Sequence, residues 1–176
     1  GERYNQKFKF DIRVFETEYE MLNVFLECIN KYFHCLIGWN VVGYDWIYIK
    51  NRCKKLGLDI KKASPVSVKV NRSFKNRRKE TFSVEMPLHR LVLDYMMMFQ
   101  NSLVYNNLES YSLNFILDII LGLSKVQYDG NLRKLYEEEY LKFVAYAIVD
   151  TILVMLIHKK TNLMDIDFYE SYMNRI

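Results

Sequence analysis

Asp45 is the first residue of this sequence whose type and position could do chemistry. It follows a short apolar run at residues 35–37 and precedes a segment whose apolar residues repeat at helical spacing. An aspartate between a buried strand and the start of a helix can cap the helix, bind a metal ion through its hard oxygen atoms, or do both. The residues around Asp45 leave these alternatives open.

Asp150 and Tyr146 are the second pair of candidates, and they lie within the apolar segment 143–157. Their spacing of four residues places them on one face of a helix. The segment is short and contains an acidic residue, so it predicts a buried helix and not a membrane span. A buried carboxylate needs a metal ion or a hydrogen bond to offset its loss of hydration, and both remain open for Asp150.

A block of positive charge lies in residues 61–79, which contain eight lysines and arginines and no acidic residue. Because the whole chain has a net charge of +4, the other residues together are net negative. A local basic block on a mildly acidic chain indicates contact with a polyanion, although such runs are also common in solvated surface loops. Phe74 lies among these cations, where an aromatic ring could stack on a base.

The elements that must position these residues follow from hydrophobic periodicity. A strand at residues 7–15, a helix opened by a capping box at Thr17, a short strand and a second helix starting at Asp45 predict an α/β fold. A change to alternating apolar residues predicts a β-hairpin at about residues 65–86, with a long basic tip between residues 71 and 80.

Further elements are a strand at residues 88–94, a helix at 110–121 that ends at Gly122, and a last long helix over residues 137–160. The three cysteines lack metal-binding spacing, so reduced thiols in a cytoplasmic protein are expected. The three histidines are scattered, and a structural role is expected for each of them. No secretory signal is present at the N-terminus.

Four short segments, in order along the chain, resemble segments of family B DNA polymerases. Asn-x-x-x-Tyr-Asp at residues 40–45 is similar to the second exonuclease motif of that family, and Tyr-x-x-x-Asp at residues 146–150 to the third. Residues 108–113 and 125–130 are most similar to T-even-type bacteriophage polymerases. By this resemblance, residues 1–176 are identified as a partial 3′-5′ exonuclease (proofreading) domain.

The resemblance implies a ribonuclease H-like fold, in which a mixed sheet is flanked by helices and the β-hairpin is an insertion. It implies hydrolysis of a DNA 3′ end with two divalent ions, Mg²⁺ or Mn²⁺. By the same resemblance, Asp45 would bind the ion on the leaving-group side, and Asp150 the ion that activates water. Tyr146 would orient that water. Asn40 and Tyr44 would shape the pocket beside the terminal nucleotide.

The resemblance also implies partners. These are DNA, as a single-stranded 3′ end or a primer-template, and the remainder of a polymerase chain, with no membrane involved. The hairpin would help to part primer from template. Its residues expected to contact DNA are Arg72, Phe74, Lys75, Arg77 and Arg78. For a phage polymerase, the expected location is the cytoplasm of the host cell.

The sequence departs from the family in one respect, because the first exonuclease motif, Asp-x-Glu, does not occur in it. We therefore expect the chain to begin downstream of that motif, with the N-terminal strands missing and with weak metal binding on its own. The alternative is a non-catalytic nucleic-acid-binding or interaction module that keeps a degenerate ribonuclease H-like fold. A longer reading frame with Asp-x-Glu upstream of Glu2 would decide between them.

Overall fold

The computed structural model describes residues 11–75, 78–123 and 132–173, and at positions 167 and 169–172 it describes the backbone alone. Predictions on the remaining residues, including the segment 125–130, lie outside the described residues. The helices and strands in chain order are α1 Glu18–Tyr32, β1 Cys35–Gly38, α2 Trp46–Lys55, β2 Lys69–Lys75, β3 Thr81–Pro87, β4 Leu91–Asp94, α3 Tyr95–Asn101, α4 Leu113–Leu121, α5 Leu132–Glu138, α6 Tyr140–Thr161 and α7 Leu163–Met173.

Helix α1 begins where the capping box predicts. The backbone of Thr17 is extended, and its hydroxyl accepts a hydrogen bond from the N–H of Glu20 at 3.2 Å. This bond satisfies one of the N–H groups that have no partner in the first turn of a helix. The buried face of α1 consists of Leu22, Leu26 and Ile29. Local capping chemistry and an apolar stripe therefore determine this helix.

Strands β1 and β4 form a two-stranded parallel sheet in which Gly38 lies opposite Asp94. Parallel strands need a crossover connection, and here the crossover contains α2 and the hairpin. Buried Arg90 donates a hydrogen bond to the carbonyl of Ile29 at 3.0 Å and so fixes the start of β4 against the end of α1. Because the two strands run in the same direction, their carboxyl ends meet at one edge.

Strands β2 and β3 form the predicted hairpin and pair in antiparallel fashion. The long tip predicted between residues 71 and 80 is wrong, because the ladder continues to the pair formed by Lys75 and Thr81. Phe74 packs against Phe82 across the two strands, with ring centroids 5.8 Å apart. Cross-strand aromatic pairs of this kind stabilise a ladder, and this one extends the hairpin beyond its predicted end.

The described residues contain two separate two-stranded sheets, β1–β4 and β2–β3, where one mixed sheet was predicted. The hairpin packs on the rest of the protein through its face, because Val84 and Met86 are buried in the core there. A strand extends a sheet only through the hydrogen-bonding groups on its edge. A hairpin that packs through its face therefore remains a sheet of its own.

The strand predicted at residues 7–15 is wrong for residues 11–15, which have no regular secondary structure. Residues 7–10 lie outside the described residues. Ile12 and Val14 alternate as a strand would require, but they are 61% and 84% exposed. An alternating pattern forms a stable strand only when one face packs against other residues, and here neither apolar side chain is covered.

Two hydrophobic cores hold the elements together. The first lies among α1, α2 and the hairpin, and its fully buried members include Leu26, Ile29, Trp46, Cys53 and Met86. The second lies among α3, α4 and α6, and its fully buried members include Tyr95, Phe99, Ile116, Leu117 and Ile157. The turn between β1 and α2 has Trp39 on the second core and Trp46 in the first, so it connects the two.

Helix α4 ends at Gly122 as predicted, with that glycine in the left-handed conformation (φ 63°). It begins at Leu113 and not at residue 110, because the hydroxyl of Ser112 caps it by accepting from the N–H of Phe115 at 3.3 Å. The predicted single helix over residues 137–160 is two helices, since the backbone leaves the helical region at Glu139 (φ −134°, ψ 57°).

Helix α6 is long enough and apolar enough to cross a membrane by length and composition, which corrects the prediction that its apolar segment is too short. It is also only partly a buried helix. Its buried residues lie in the C-terminal half and are Leu153, Leu156 and Ile157. Only 17% of its most apolar 18-residue stretch is buried, but these three side chains belong to the protein core, and a single helix of this length and composition is weak evidence for a membrane span. We therefore interpret α6 as a helix of the folded domain.

Candidate functional site

A cleft of about 650 Å³ opens at the carboxyl ends of β1 and β4. One wall is the turn between β1 and α2, which contributes Asn40, Tyr44 and Asp45. The other wall is α6, which contributes Asp150. Carboxyl ends of parallel strands are a common place for ligand sites in α/β proteins. The structure thus brings two carboxylates from distant parts of the sequence into one cleft.

The first wall is a single π-helical turn, Val41–Asp45, closed by a hydrogen bond from the N–H of Trp46 to the carbonyl of Val41. Asn40 precedes it in the left-handed conformation (φ 58°), which asparagine adopts more readily than most residues. Gly43 lies against the Asn40 side chain, because a Cβ atom at Gly43 would be 2.5 Å from Asn40 Oδ1. Single π-turns often occur at functional sites.

Asp94 holds this turn through hydrogen bonds to its backbone. The sequence analysis did not identify this residue. It is only 5% exposed. Its Oδ1 accepts hydrogen bonds from the N–H groups of Asn40 (3.0 Å) and Met97 (3.3 Å), and its Oδ2 accepts one from the N–H of Val42 (3.0 Å). Burial raises the pKa of Asp94, and the backbone N–H groups act in the opposite direction. The available signal was an aspartate at a strand end before a helix, the same context as Asp45.

Two tryptophans fix the turn at its ends. The indole N–H of Trp39 donates to the carbonyl of Tyr111 at 3.1 Å, and its ring lies 5.6 Å from that of Phe99. The indole N–H of Trp46 donates to the carbonyl of Glu85 at 2.9 Å. Tryptophans packed in this way, Trp39 partly and Trp46 almost completely buried, combine a large apolar contact with one directional bond. The position of the turn is therefore set by contacts with both cores.

Asp45 does not cap α2, because its backbone is already helical and its side chain makes no capping hydrogen bond. The capping alternative for Asp45 is therefore wrong. Its side chain reaches the surface at the mouth of the cleft. Even so, burial by the surrounding protein raises the pKa of Asp45, and its own backbone N–H acts in the opposite direction. Asp45 is thus an exposed residue that lines the cleft.

The second wall is the face of α6 that contains Asp150, Val154 and His158. Asp150 is half-buried, and its Oδ1 atom is shielded from solvent. Tyr146 lies one turn earlier and is half-buried, but it is not among the described residues that line the cleft. Asp150 thus lines the cleft, whereas Tyr146 lies one helical turn earlier and outside its described lining.

His158 lines the same cleft, two helical turns after Asp150, and the expectation of a structural role for this histidine stays a prediction. Its Nδ1 shares a hydrogen bond of 2.5 Å with the hydroxyl of Tyr95, which is fully buried. The two rings meet edge to face, with centroids 5.9 Å apart. No spacing rule in the sequence links residue 95 to residue 158, so only the packing of α3 against α6 reveals this contact.

The donor atoms of the cleft suit a hard divalent cation. Mg²⁺ and Mn²⁺ prefer carboxylate oxygen, and Asp45 and Asp150 offer one carboxylate from each wall. Within residues 11–75, 78–123 and 132–173, no group of three or more His, Cys, Asp or Glu side chains is close enough to hold an ion. The cleft therefore offers carboxylate ligands that suit a divalent cation, but the described residues supply only two of them, Asp45 and Asp150.

Comparison with known proteins connects this cleft to a family. A family model described as DNA polymerase family B, exonuclease domain, matches residues 2–116. The chain belongs to this family. The matched residues include the π-helical turn with Asp45, whereas α6 with Asp150 lies beyond them.

Two phage proteins support the assignment of the chain to this family. The DNA-directed DNA polymerase of Enterobacteria phage T4 is 29% identical over 166 residues, which is 90% of the chain. That of Escherichia phage RB69 is 28% identical over 170 residues, or 92% of the chain. The chain spans 18% of the length of each relative. The resemblance to T-even-type polymerases is thereby confirmed.

The hairpin residues expected to contact DNA do not share one face of the exonuclease domain. Arg72 and Phe74 are half-buried on the inner face, and Phe74 packs against the first core. Lys75 is exposed on the opposite face. Arg77 lies outside the described residues. Because the Phe74 ring already has an apolar partner in Phe82, stacking on a base would require it to leave that contact.

Part of the basic block is neutralised by acidic neighbours. Lys62 forms an ion pair with Glu27 at 2.9 Å. Lys69 forms ion pairs with Glu85 at 3.2 Å and with Asp59 at 3.4 Å, and its hydrogen bond to Glu85 is the main cause of its raised pKa. The positive charge that remains is therefore concentrated toward the end of the hairpin.

Arg78, next to the hairpin turn, lines a second cavity of about 440 Å³ between the hairpin, the π-helical turn and α3. Asn40 lines both this cavity and the cleft. Arg72, Lys75 and Arg78 form no ion pair with any other residue that the structure describes. The end of the hairpin thus has cations without an ion-pair partner among the described residues, and one of them, Arg78, lines a cavity that Asn40 also lines.

Proposed function

We propose that this chain is the 3′-5′ exonuclease region of a replicative family B DNA polymerase, which hydrolyses the terminal phosphodiester of a DNA 3′ end during proofreading. The observation that supports this most directly is that Asp45 and Asp150, from two separate motifs, line one cleft at the carboxyl ends of β1 and β4. Membership of the exonuclease family and the hard oxygen donors of the cleft point to the same chemistry.

The two carboxylates would hold two Mg²⁺ or Mn²⁺ ions, Asp45 on the leaving-group side and Asp150 on the side of the attacking water. Two metal ions bound in this way can stabilise both the attacking and the leaving oxygen of an in-line displacement. Tyr146 lies one helical turn from Asp150, and we propose that its hydroxyl orients the water when DNA is bound. The role of the chain's own residues is to hold these groups at fixed positions around the scissile phosphate.

Asn40 and Tyr44 would position the terminal nucleotide. Both line the cleft on the Asp45 side, and Tyr44 is 67% exposed, so its ring is available to stack on a base. Arg78 and Lys75 would contact the phosphates of the same strand before it enters the cleft. In support of this assignment, Arg78 lines the second cavity together with Asn40, and Asn40 also lines the cleft.

The proposed function needs carboxylates beyond these two, because Mg²⁺ is usually held by one or two carboxylates per ion and a two-metal site also needs a fixed spacing. No Asp-x-Glu occurs in the 176 residues. We propose that the missing ligands come from another part of a polymerase chain, which is then a partner of this domain together with DNA. For a phage polymerase, the place of action would be the cytoplasm of the infected cell.

One observation favours the alternative of a non-catalytic nucleic-acid-binding module. Within the described part of the chain, no cluster of three or more potential metal ligands is present. A module of that kind would keep the cations of the hairpin and bind single-stranded DNA without cleaving it. The two functions therefore differ in a single measurable property, which is cleavage once all carboxylates are supplied.

The experiment that tests the proposed function supplies an upstream segment carrying Asp-x-Glu, in cis or as a second chain, and follows a 5′-labelled single-stranded oligonucleotide with Mg²⁺ or Mn²⁺. We expect stepwise shortening from the 3′ end, abolished by Asp150→Ala and by Asp45→Ala. Asp165→Ala is the matched control, because it removes an exposed carboxylate on α7 that does not line the cleft. Binding without shortening, in a sample whose fold is intact, would support the alternative.

A further inference from the structure

The two carboxylate-bearing walls of the cleft belong to different parts of the protein. The π-helical turn packs on the first core through Val42 and Trp46, both of which are buried. Helix α6 packs on the second core through Leu153 and Ile157. Trp39, before the turn, also packs on the second core, and the spacing of Asp45 and Asp150 otherwise depends on the contacts that connect the two cores.

One side of that connection is Asp94. Its two carboxylate oxygens accept hydrogen bonds from the N–H groups of Asn40 and Val42, on either side of Val41. Hydrogen bonds to an ionised acceptor are stronger than those between neutral groups, and this acceptor is almost completely buried. Asp94 thus fixes the backbone of the turn that leads to Asp45.

The other side is Tyr95, the next residue. It is fully buried, and its hydroxyl shares the 2.5 Å hydrogen bond with His158 Nδ1. His158 lies on the same face of α6 as Asp150, since both line the cleft and they are two turns apart. Tyr95 therefore fixes the position of α6 along the wall that carries Asp150.

We propose that Asp94 and Tyr95 are positioning residues that together set the spacing of the two carboxylates, with His158 as the intermediate contact on α6. Their Cα atoms are about 3.8 Å apart and both side chains are almost completely buried, so the two anchoring points have little room to move relative to each other. One dipeptide, at the junction of β4 and α3, thereby links both walls. This inference rests on the proposed function, because spacing matters to chemistry only if both carboxylates hold ions.

The test compares Mn²⁺ affinity among variants of the chain supplied with the upstream segment. Tyr95→Phe keeps the ring and removes only the hydroxyl. Groups that orient metal ligands from outside the ligand shell typically contribute 10- to 100-fold to affinity, so we expect a loss of about tenfold. Ser64→Ala is the matched control, because Ser64 is also fully buried, its hydroxyl accepts a hydrogen bond from the N–H of Val66 at 3.3 Å, and it does not line the cleft. It should leave Mn²⁺ affinity unchanged.

A double-mutant comparison tests the route through α6. If Tyr95 acts by holding His158, then His158→Ala should weaken Mn²⁺ binding as Tyr95→Phe does, and the double variant should be no weaker than either alone. Reductions in affinity that simply add would mean that the two side chains act separately, which would overturn the proposed route.

Amide hydrogen exchange gives a readout that does not depend on metal. Tyr95→Phe should raise exchange in α6 between Asp150 and His158, and Asp94→Asn should raise it at Asn40 and Val42. A Tyr95→Phe variant whose exchange and Mn²⁺ affinity equal those of Ser64→Ala would overturn the positioning role. An Asp150→Ala variant with unchanged Mn²⁺ affinity would instead overturn the proposed function, so the two failures are distinguishable.

Discussion

The Asp94 carboxylate accepts a hydrogen bond from the N–H of Val42 at 3.0 Å, and this contact joins the end of β4 to the turn that carries Asp45. Asp94 ends one strand of the parallel pair, and the turn follows the other, so the contact is made at the shared carboxyl edge of the sheet. The geometry of the turn therefore depends on a side chain that lies about fifty positions later in the sequence.

Asp94→Asn should destabilise the protein by about 1–3 kcal/mol near neutral pH. The asparagine side chain has only one oxygen that can accept hydrogen bonds, whereas the carboxylate has two. The loss should appear as a lower urea midpoint at an unchanged slope of free energy against urea. Exchange of the Val42 amide should rise in the same variant. A variant as stable as the native protein would show that the buried carboxylate contributes little.

A comparison of the native protein with Asp94→Asn also gives a prediction about how stability depends on pH. Burial raises the pKa of Asp94 in the folded protein above its ordinary value of 3.8, so the folded state binds this proton at higher pH than the unfolded chain. The ionised carboxylate therefore costs stability above the folded pKa, and that cost is relieved as the pH falls through it toward 3.8. We expect the native protein to gain stability relative to Asp94→Asn over this interval. The opposite slope in urea unfolding would mean that the backbone N–H groups outweigh burial.

Gly43→Ala should alter the cleft while leaving most of the fold intact. A Cβ atom at this position would lie 2.5 Å from Asn40 Oδ1, so the Asn40 side chain must move. Since Asn40 lines both cavities, we expect weaker binding of a short oligonucleotide with a smaller change in thermal stability. Lys54→Ala, on the exposed side of α2, is a control for the general effect of a substitution near the turn. Equal oligonucleotide affinity in Gly43→Ala and the native chain would count against a role for Asn40.

Removing Lys75 and Arg78 together should weaken single-stranded DNA binding and flatten its dependence on salt. Each cation that no longer neutralises a phosphate reduces the slope of log affinity against log salt by about 0.7, so the slope of the double alanine variant should fall by about 1.4. Replacing Lys54 and Lys55, which are also exposed, by alanine removes the same charge elsewhere and is the matched control. Equal slopes in the two variants would show that the hairpin acts only through net charge. Adding Arg72→Ala and Arg77→Ala extends the series.

The chain alone should bind Mn²⁺ weakly and should not shorten a DNA 3′ end at a useful rate. Asp45 and Asp150 supply about one protein ligand per ion, which is a marginal site for an ion that holds its water tightly. Calorimetry with Mn²⁺ and a labelled oligonucleotide, each compared with Asp150→Ala, provide the check. Steady 3′ shortening by the unmodified chain, abolished in that variant, would mean that the ligand set has been assigned incorrectly.

The sequence by itself determined the features that depend on neighbours in the chain. The Thr17 cap and the Gly122 stop were predicted correctly, because capping bonds and left-handed backbone positions involve residues only a few positions apart. The motif spacing identified the family that the comparisons confirm. It also selected Asp45 and Asp150, which the structure places in one cleft.

The tertiary structure alone decided which distant groups meet. The bonds of Asp94 to the Asn40 and Val42 N–H groups and of Tyr95 to His158 join residues more than fifty positions apart. Alternation at residues 11–15 and in the hairpin indicated strands, but pairing depends on which edges and faces find partners. The physical reason is that periodicity shows which side chains can be buried, whereas the surface that buries them comes from elsewhere in the chain.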